Sequence, residues 1–218
     1  MIKITDYQTL VFDCDGVILN SNKVKTEGFW HIAQRYGDQA AKALVDFHTQ
    51  NGGISRYKKF EYLLVNVLGQ QSDAALVELL SKDYGDYVYQ RLLTCEITPH
   101  LQQLREQTSN ASWMLVSGGS QVELRKVFDV RGLTQFFDKG IYGSPTNKDE
   151  IFNREISAGN LKLPALFVGD SRYDHQSSTR AGLDFIFAYS WTEFLGWEEY
   201  CDEFKIKKIN AVIDLLTA

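Results

Sequence analysis

Thr9-Leu10-Val11-Phe12-Asp13-Cys14-Asp15-Gly16-Val17-Ile18-Leu19-Asn20-Ser21 runs an apolar strand directly into two carboxylates. Leu10, Val11 and Phe12 have the β-branched, aliphatic and aromatic character of a strand covered on both faces, which parallel sheets require. In open α/β sheets ligands gather at the carboxyl ends of strands, and here that end carries Asp13, Asp15 and Gly16. Alternation along extended backbone puts the two acids on one side, with Cys14 turned away. Carboxylates so placed repel each other unless a hard cation such as Mg²⁺ neutralises them or they share a proton. A solvated Asp-x-Asp-Gly turn after a core strand has the same spelling, so this stretch alone leaves both site and turn open.

The composition sets bounds around it. A chain of 218 residues accommodates one domain with an insertion, or two small domains. Hydrophobic residues at 44% and charged residues at 23% are ordinary for a soluble globular protein. With a net charge of −5 and no dense Lys/Arg run, no nucleic-acid partner is expected. Cys14, Cys95 and Cys201 are odd in number and scattered, which fits a reducing compartment. No signal-peptide pattern and no membrane-length apolar run is present, so a cytoplasmic location without a membrane partner is expected. His31, His48, His100 and His175 lack zinc-ligand spacing. No P-loop run occurs either.

Along the chain, the region from Asn22 to about Thr94 reads as successive helices. Phe29, Ile32, Ala33 and Tyr36 keep helical spacing, as do Tyr57, Phe60, Leu64 and Val67. Ser55 is a candidate N-cap and Gly69 a stop; Ser72 or Asp73 starts another helix, with a break expected near Gly85. Asn51-Gly52-Gly53 reads as a flexible turn. From Ile97 the pattern alternates: strands at Trp113–Val116, Gly140–Tyr142, Ala165–Val168 and Asp184–Ala188, separated by helices, with a closing helix from Ile209 to Leu216. Such alternation implies a parallel sheet with right-handed crossovers. The expected fold class is therefore α/β, a Rossmann-like parallel core formed by residues 1–20 and 95–218, with an all-helical insertion over 21–94.

Polar residues stand at several strand ends: Asp13 and Asp15, Ser117 and Gly118, Asp170 and Asp174, with Lys148 opening a helix after the third strand. In this order and placement the chain resembles the haloacid dehalogenase superfamily, specifically its phosphatases with a helical cap inserted after the first motif. The motifs are Asp13-Cys14-Asp15-Gly16-Val17, Ser117, Lys148 and Gly169-Asp170-Ser171-Arg172-Tyr173-Asp174. Members resembling phosphoglycolate phosphatase and β-phosphoglucomutase share this arrangement. The resemblance implies Asp13 as nucleophile, Asp15 as acid and base, and Mg²⁺ held by Asp13, the Asp15 carbonyl and Asp170. It further implies phosphate contacts from Ser117, Gly118 and Lys148, with Asp174 in support. Retention of Asp15 favours phosphate-ester hydrolysis over dehalogenation or imine chemistry.

A phosphomonoester dianion repels an attacking carboxylate, so this chemistry needs positive charge close to Asp13. The resemblance also implies that the inserted helices close over the site and read the leaving group. Lys23 and Lys25 follow the first motif, and Arg56 and Lys59 share one helical face. Arg56, Lys59 and Lys25 are candidates for a second anionic group of the substrate, against the alternative of a solvated basic face beside Glu61. His48 is a weaker candidate. Asn20 departs from the Asp common in relatives, and Tyr84, Tyr87 and Tyr89 read as packing. The expected activity is Mg²⁺-dependent hydrolysis of a small phosphorylated metabolite through an aspartyl-phosphate. A β-phosphoglucomutase-like transfer is the enzymatic alternative, and a phospho-accepting signalling or non-catalytic binding module is the alternative of another class. Monomer and homodimer are both open.

Overall fold

The side chains of one strand divide between two layers. The structure, a computed structural model, describes residues 3–217. Every residue of β1 (Thr9–Phe12) is buried. Leu10 and Phe12 join a cluster with Trp113, Leu115, Leu166 and Val168 on one face; Val11 joins Met114, Val116, Phe152 and Phe167 on the other. Two buried faces place β1 inside a sheet covered by helices on both sides.

That sheet has six parallel strands. β2 (Ser112–Ser120), β3 (Ile141–Ser144), β4 (Ala165–Gly169), β5 (Asp184–Ala188) and β6 (Lys207–Ile209) complete it, in the order β3-β2-β1-β4-β5-β6. The chain builds outward from β1 in one direction and then returns to β4 on its other side. The strand order therefore reverses between β1 and β4, and the crevice at their carboxyl ends is where this architecture binds ligands.

Among the described residues, five α-helices lie between β1 and β2, and the first four belong to the insertion: α1 (Asn22–Ala33), α2 (Asp38–Gln50), α3 (Arg56–Tyr62) and α4 (Ala74–Leu92). The Asp73 carboxylate caps α4, accepting the Ala75 and Leu76 amides. Phe29 of α1 packs 5.4 Å from the Phe60 ring and 4.3 Å from the Tyr84 ring. The insertion packs into the same hydrophobic cluster as one face of the sheet. The remaining helices are α5 (Leu101–Gln107), α6 (Gln121–Val130), α7 (Lys148–Ser157), α8 (Arg172–Ala181) and α9 (Trp197–Glu203). Among the described residues, no helix is long and apolar enough to cross a membrane.

Several expectations are corrected. α4 does not break at Gly85; the residue lacks a side chain because Glu123 Oε1 would stand 2.3 Å and Arg56 Nη1 2.9 Å from a Cβ there. The expected closing helix from Ile209 to Leu216 is instead the end of β6 followed by a 3₁₀ turn over Val212–Leu216. Ile209, Val212 and Leu215 are all buried, which gives the helical spacing, but Asp214 accepts the Asn210 and Ala211 amides and holds a tight turn. β6 escapes sequence reading because it is a three-residue edge strand in which Lys207 and Lys208 face solvent. The Asn51-Gly52-Gly53 turn is packed against the core, with the Gly53 carbonyl 2.2 Å from where a Gly118 Cβ would lie.

Contact between α1 and α4 depends on Gly28, whose Cβ would sit 2.7 Å from Val88 Cγ1 and 2.9 Å from Tyr84 Cε2. Gly28→Val is expected to lower stability by about 1–3 kcal/mol through overpacking. Urea unfolding followed by circular dichroism checks it, and an unchanged midpoint contradicts the packing described.

Candidate active site

Asp13 directly follows β1, its amide donating to the Val168 carbonyl at 2.9 Å, so its carboxylate leaves the sheet at the crevice. The chain then doubles back, the Gly16 amide donating to the Leu19 carbonyl at 2.8 Å. Gly16 has φ +79°, and a Cβ there would meet Asp170 Oδ2 at 2.1 Å, so only glycine brings Asp15 and Asp170 together in this way.

Lys148 organises the acids. It is the first residue of α7, capped by Asn147, and is only 1% exposed. Its Nζ donates to Asp13 Oδ1 at 2.6 Å and to Asp174 Oδ1 at 2.5 Å. Asp174 Oδ2 accepts the Asp170 and Ser171 amides and the Ser171 hydroxyl, so both its oxygens are engaged. Burial works against the Lys148 charge, but Asp13 and Asp174 more than offset it and hold the ammonium above its ordinary value. One lysine does not satisfy three acids. Burial drives Asp13 up, Lys148 draws it back, Asp174 and Asp15 add to the rise, and it stands at about 7. Burial, then Asp13 and Asp174, push Asp170 well above the carboxylate range.

Carboxylate oxygens of Asp13, Asp170 and Asp174 lie within 4.8 Å of one another. Asp13 Oδ1 serves Lys148, and Asp170 Oδ2 accepts from Asn22 at 2.7 Å. Among the described residues, Asp13 Oδ2 and Asp170 Oδ1 have no hydrogen-bond donor. These two oxygens, on buried residues but open to the cleft, form a hard donor set that suits a divalent cation such as Mg²⁺.

The cleft above them is lined by Asp13, Asp15, Ser117, Gly118 and Asp170 from the strand ends. Lys25, Phe29, His48, Arg56, Lys59 and Tyr84 of the insertion line its other side. Lys148 and Asp174 lie behind Asp13 and do not line the cleft. The Ser117 hydroxyl accepts the Gly119 amide at 3.0 Å. Asp15 receives the Ser21 hydroxyl at 2.5 Å and has Lys25 Nζ at 3.4 Å. Burial opposes the Lys25 charge; Asp15, then Tyr84, outweigh it and hold the ammonium above its ordinary value.

The basic residues of the insertion differ in their partners. Arg56 is buried, and its guanidinium fork is occupied by Glu123 of α6, at 2.8 and 2.5 Å, with Nη1 also donating to the Ser81 carbonyl. Glu123 stands three residues after Ser120, a spacing that reads as a capping box; Ser120 makes no such bond, and Glu123 reaches across to the insertion. Lys59 is buried, not solvated beside Glu61, and contacts His48 Nδ1 at 2.6 Å. Tyr84 packs within the insertion, and Tyr87 stacks on His31. Sequence reading passed over Asn22, whose amide also donates to the Trp191 carbonyl at 2.8 Å, and Thr192, which donates to the Asp170 carbonyl at 2.7 Å. Glu193, accepting from Thr26, was likewise outside any motif. Their only sequence signal was position: Asn22 opens the first helix after the acidic loop.

Fold and site together define a hydrolase of the doubly wound α/β type. The chain belongs to the haloacid dehalogenase-like hydrolase family, whose pattern matches residues 10–188. Among solved structures, it is similar to a Lactobacillus plantarum protein provisionally named a phosphoglycolate phosphatase, at 20% identity and TM-score 0.71, covering 97% of this chain and 98% of that one. A Clostridium acetobutylicum protein provisionally called a phosphatase superposes with TM-score 0.75 at 16% identity, covering 97% of each chain. A Bacteroides vulgatus protein provisionally called a β-phosphoglucomutase gives TM-score 0.67 at 16% identity, covering 85% of this chain and 76% of that one. At these identities the likeness is one of fold. Comparison with curated proteins gave no match.

Lys59 stands at about 7, pushed down first by burial, with Lys25 adding to the fall and Asp15 opposing it. Between that value and the ordinary lysine range the unfolded chain holds a proton that the folded protein lacks, so stability rises with pH there. Lys59→Met is expected to stabilise the protein most below pH 7, with the gain shrinking as pH approaches 10. Unfolding midpoints of both proteins across this range check it, and a gain independent of pH contradicts the burial described.

Proposed function

We propose that the protein is a Mg²⁺-dependent phosphomonoesterase acting on a small phosphorylated metabolite, with the inserted helices as the cap that reads the leaving group. One observation carries this reading: a buried Asp13 held through one oxygen by Lys148, its other oxygen open beside Asp170 at the strand ends. That leaves a carboxylate oriented, charge-compensated on one side and free to attack on the other. The provisional names of the phosphatase-like structures agree with it.

Asp13, the Asp15 carbonyl and Asp170 would hold Mg²⁺, which when bound offsets the charge of the phosphoryl group and of the acids around it. Asp13 attacks phosphorus while the bond to the ester oxygen breaks, and Asp15 gives the departing alkoxide a proton. Asp15 then takes a proton from water as that water attacks phosphorus; the Asp13 oxygen leaves and inorganic phosphate is released. Ser117 and the Gly118 amide, both on the cleft wall, hold non-bridging oxygens. Lys148 acts from behind, fixing the rotamer and charge of Asp13 with Asp174 as its second anchor. Ser21 and Lys25 hold Asp15 at the mouth between strand ends and insertion.

A β-phosphoglucomutase-like transfer uses the same first step, and one structural relative carries that name. Hydrolysis is preferred because the open carboxylates and Asp15 suffice for it without a second acceptor site. Purified protein with Mg²⁺ is expected to release phosphate steadily from a panel of phosphomonoesters without a bisphosphate primer. Asp13→Asn is expected to lower kcat by about a thousandfold or more, and chelation to abolish turnover until Mg²⁺ is returned. Equal rates for both proteins would overturn Asp13 as nucleophile; dependence on a bisphosphate would favour the transferase.

A further inference from the structure

The phosphomonoesterase reading leaves one pair without a task, the buried Lys59 and the half-buried His48. Three cationic side chains of the insertion line the cleft, and two carry their own counter-charge: Lys25 has Asp15 at 3.4 Å, and Arg56 has Glu123 at 2.5 Å. Lys59 has no carboxylate within ion-pair distance among the described residues. Its polar contact is His48 Nδ1 at 2.6 Å, and its Nζ lies 5.3 Å from the centre of the Phe29 ring. A ring nitrogen accepting from lysine carries no proton, which puts the histidine hydrogen on Nε2; Nε2 has no partner among the described residues. Burial, then Lys59 and Lys25, hold His48 well below its ordinary value, so the ring is neutral.

Keeping an unpaired lysine inside a protein is costly, and the cost disappears when an anion arrives beside it. Resting on the reading above, we propose that Lys59 and His48 form the seat for a carboxylate on the leaving group, so that the substrate is the phosphate ester of a small hydroxy acid. One ammonium and one imidazole N–H match a monoanion. A second phosphate would bring a charge they do not balance, and the guanidinium fork that suits phosphate is already taken by Glu123. Phe29, 4.6 Å from the His48 ring and 4.3 Å from Tyr84, gives the subsite an apolar floor suited to a short carbon chain. Other charged groups near Lys59 are Lys25 of α1, Arg56 of its own helix, and Asp13 and Asp15 of the acidic loop. Of these acids, Asp13 is held through Oδ1 by Lys148 and Asp15 faces Lys25, and neither is within ion-pair distance of Lys59.

The test compares ω-phosphorylated two-, three- and four-carbon carboxylic acids with their uncharged primary amides, using full-length protein and Mg²⁺. At least one acid is expected to exceed its amide by about tenfold or more in kcat/KM, mainly through KM, and Lys59→Met to reduce that ratio to within about threefold. Lys59→Gln and His48→Leu are read in the same way in case Lys59→Met does not fold. No acid preferred over its amide in the unaltered protein overturns the proposal, as does a preference that survives the loss of Lys59. Hydrolysis of p-nitrophenyl phosphate reads the phosphatase reading separately. If that activity is absent, calorimetric binding of the same acid and amide pairs decides the subsite without turnover.

Discussion

A single ammonium group buried between two carboxylates sets the terms for the rest of this site. Lys148 is almost wholly buried and donates to both Asp13 and Asp174. Removing one partner of such a buried pair typically costs about 3–5 kcal/mol, so the three side chains stand or fall together. They come from three places in the chain: the end of β1, the start of α7 and the first turn of α8. Only the parallel sheet, with its order reversing between β1 and β4, brings those places to one crevice. The charge count then determines the chemistry. Asp170 joins the cluster without a cation of its own, and this is the position the proposed Mg²⁺ would compensate.

The insertion is fastened to this crevice by contacts that leave little slack. Arg56 reaches Glu123 of the core, and Asn22, the first residue of α1, holds both Asp170 and the Trp191 carbonyl. Lys25 leans on Asp15, and the backbones at Gly53 and Gly118 approach too closely for any side chain at Gly118. Lys25 and Asn22 reach the acids themselves, while Arg56 and Gly53 meet the first turn of α6 and the end of β2. Lys59, His48, Phe29 and Tyr84 line the cleft from the insertion side, and under the proposed function they are the residues that would face the leaving group.

How much of this was readable beforehand follows from how local each signal is. β1 and the strands at Trp113, Ala165 and Asp184 announce themselves because a doubly covered strand is a short apolar run, and their acidic or Ser-Gly ends follow directly in sequence. The pairings of Lys148 are not local; its partners are 135 and 26 residues away, and only the resemblance to a known family connected them. Gly85 read as a helix break because its reason, the Arg56–Glu123 pair passing over it, lies in other elements. Arg56 and Lys59 were rightly seen on one face of a helix, but sequence spacing carries no information on which of them already has a partner across the cleft. β6 was invisible since only Ile209 of its three residues is buried.

The account rests on two carboxylate oxygens, of Asp13 and Asp170, that are unpartnered among the described residues, open to the cleft and would hold a divalent cation. It is tested most directly by the thermal unfolding midpoint at pH 7.5 as MgCl₂ is raised, at constant ionic strength. A saturable rise that Asp170→Asn abolishes is the predicted result. A midpoint indifferent to Mg²⁺ in the unaltered protein, or a rise that persists without the Asp170 carboxylate, contradicts it.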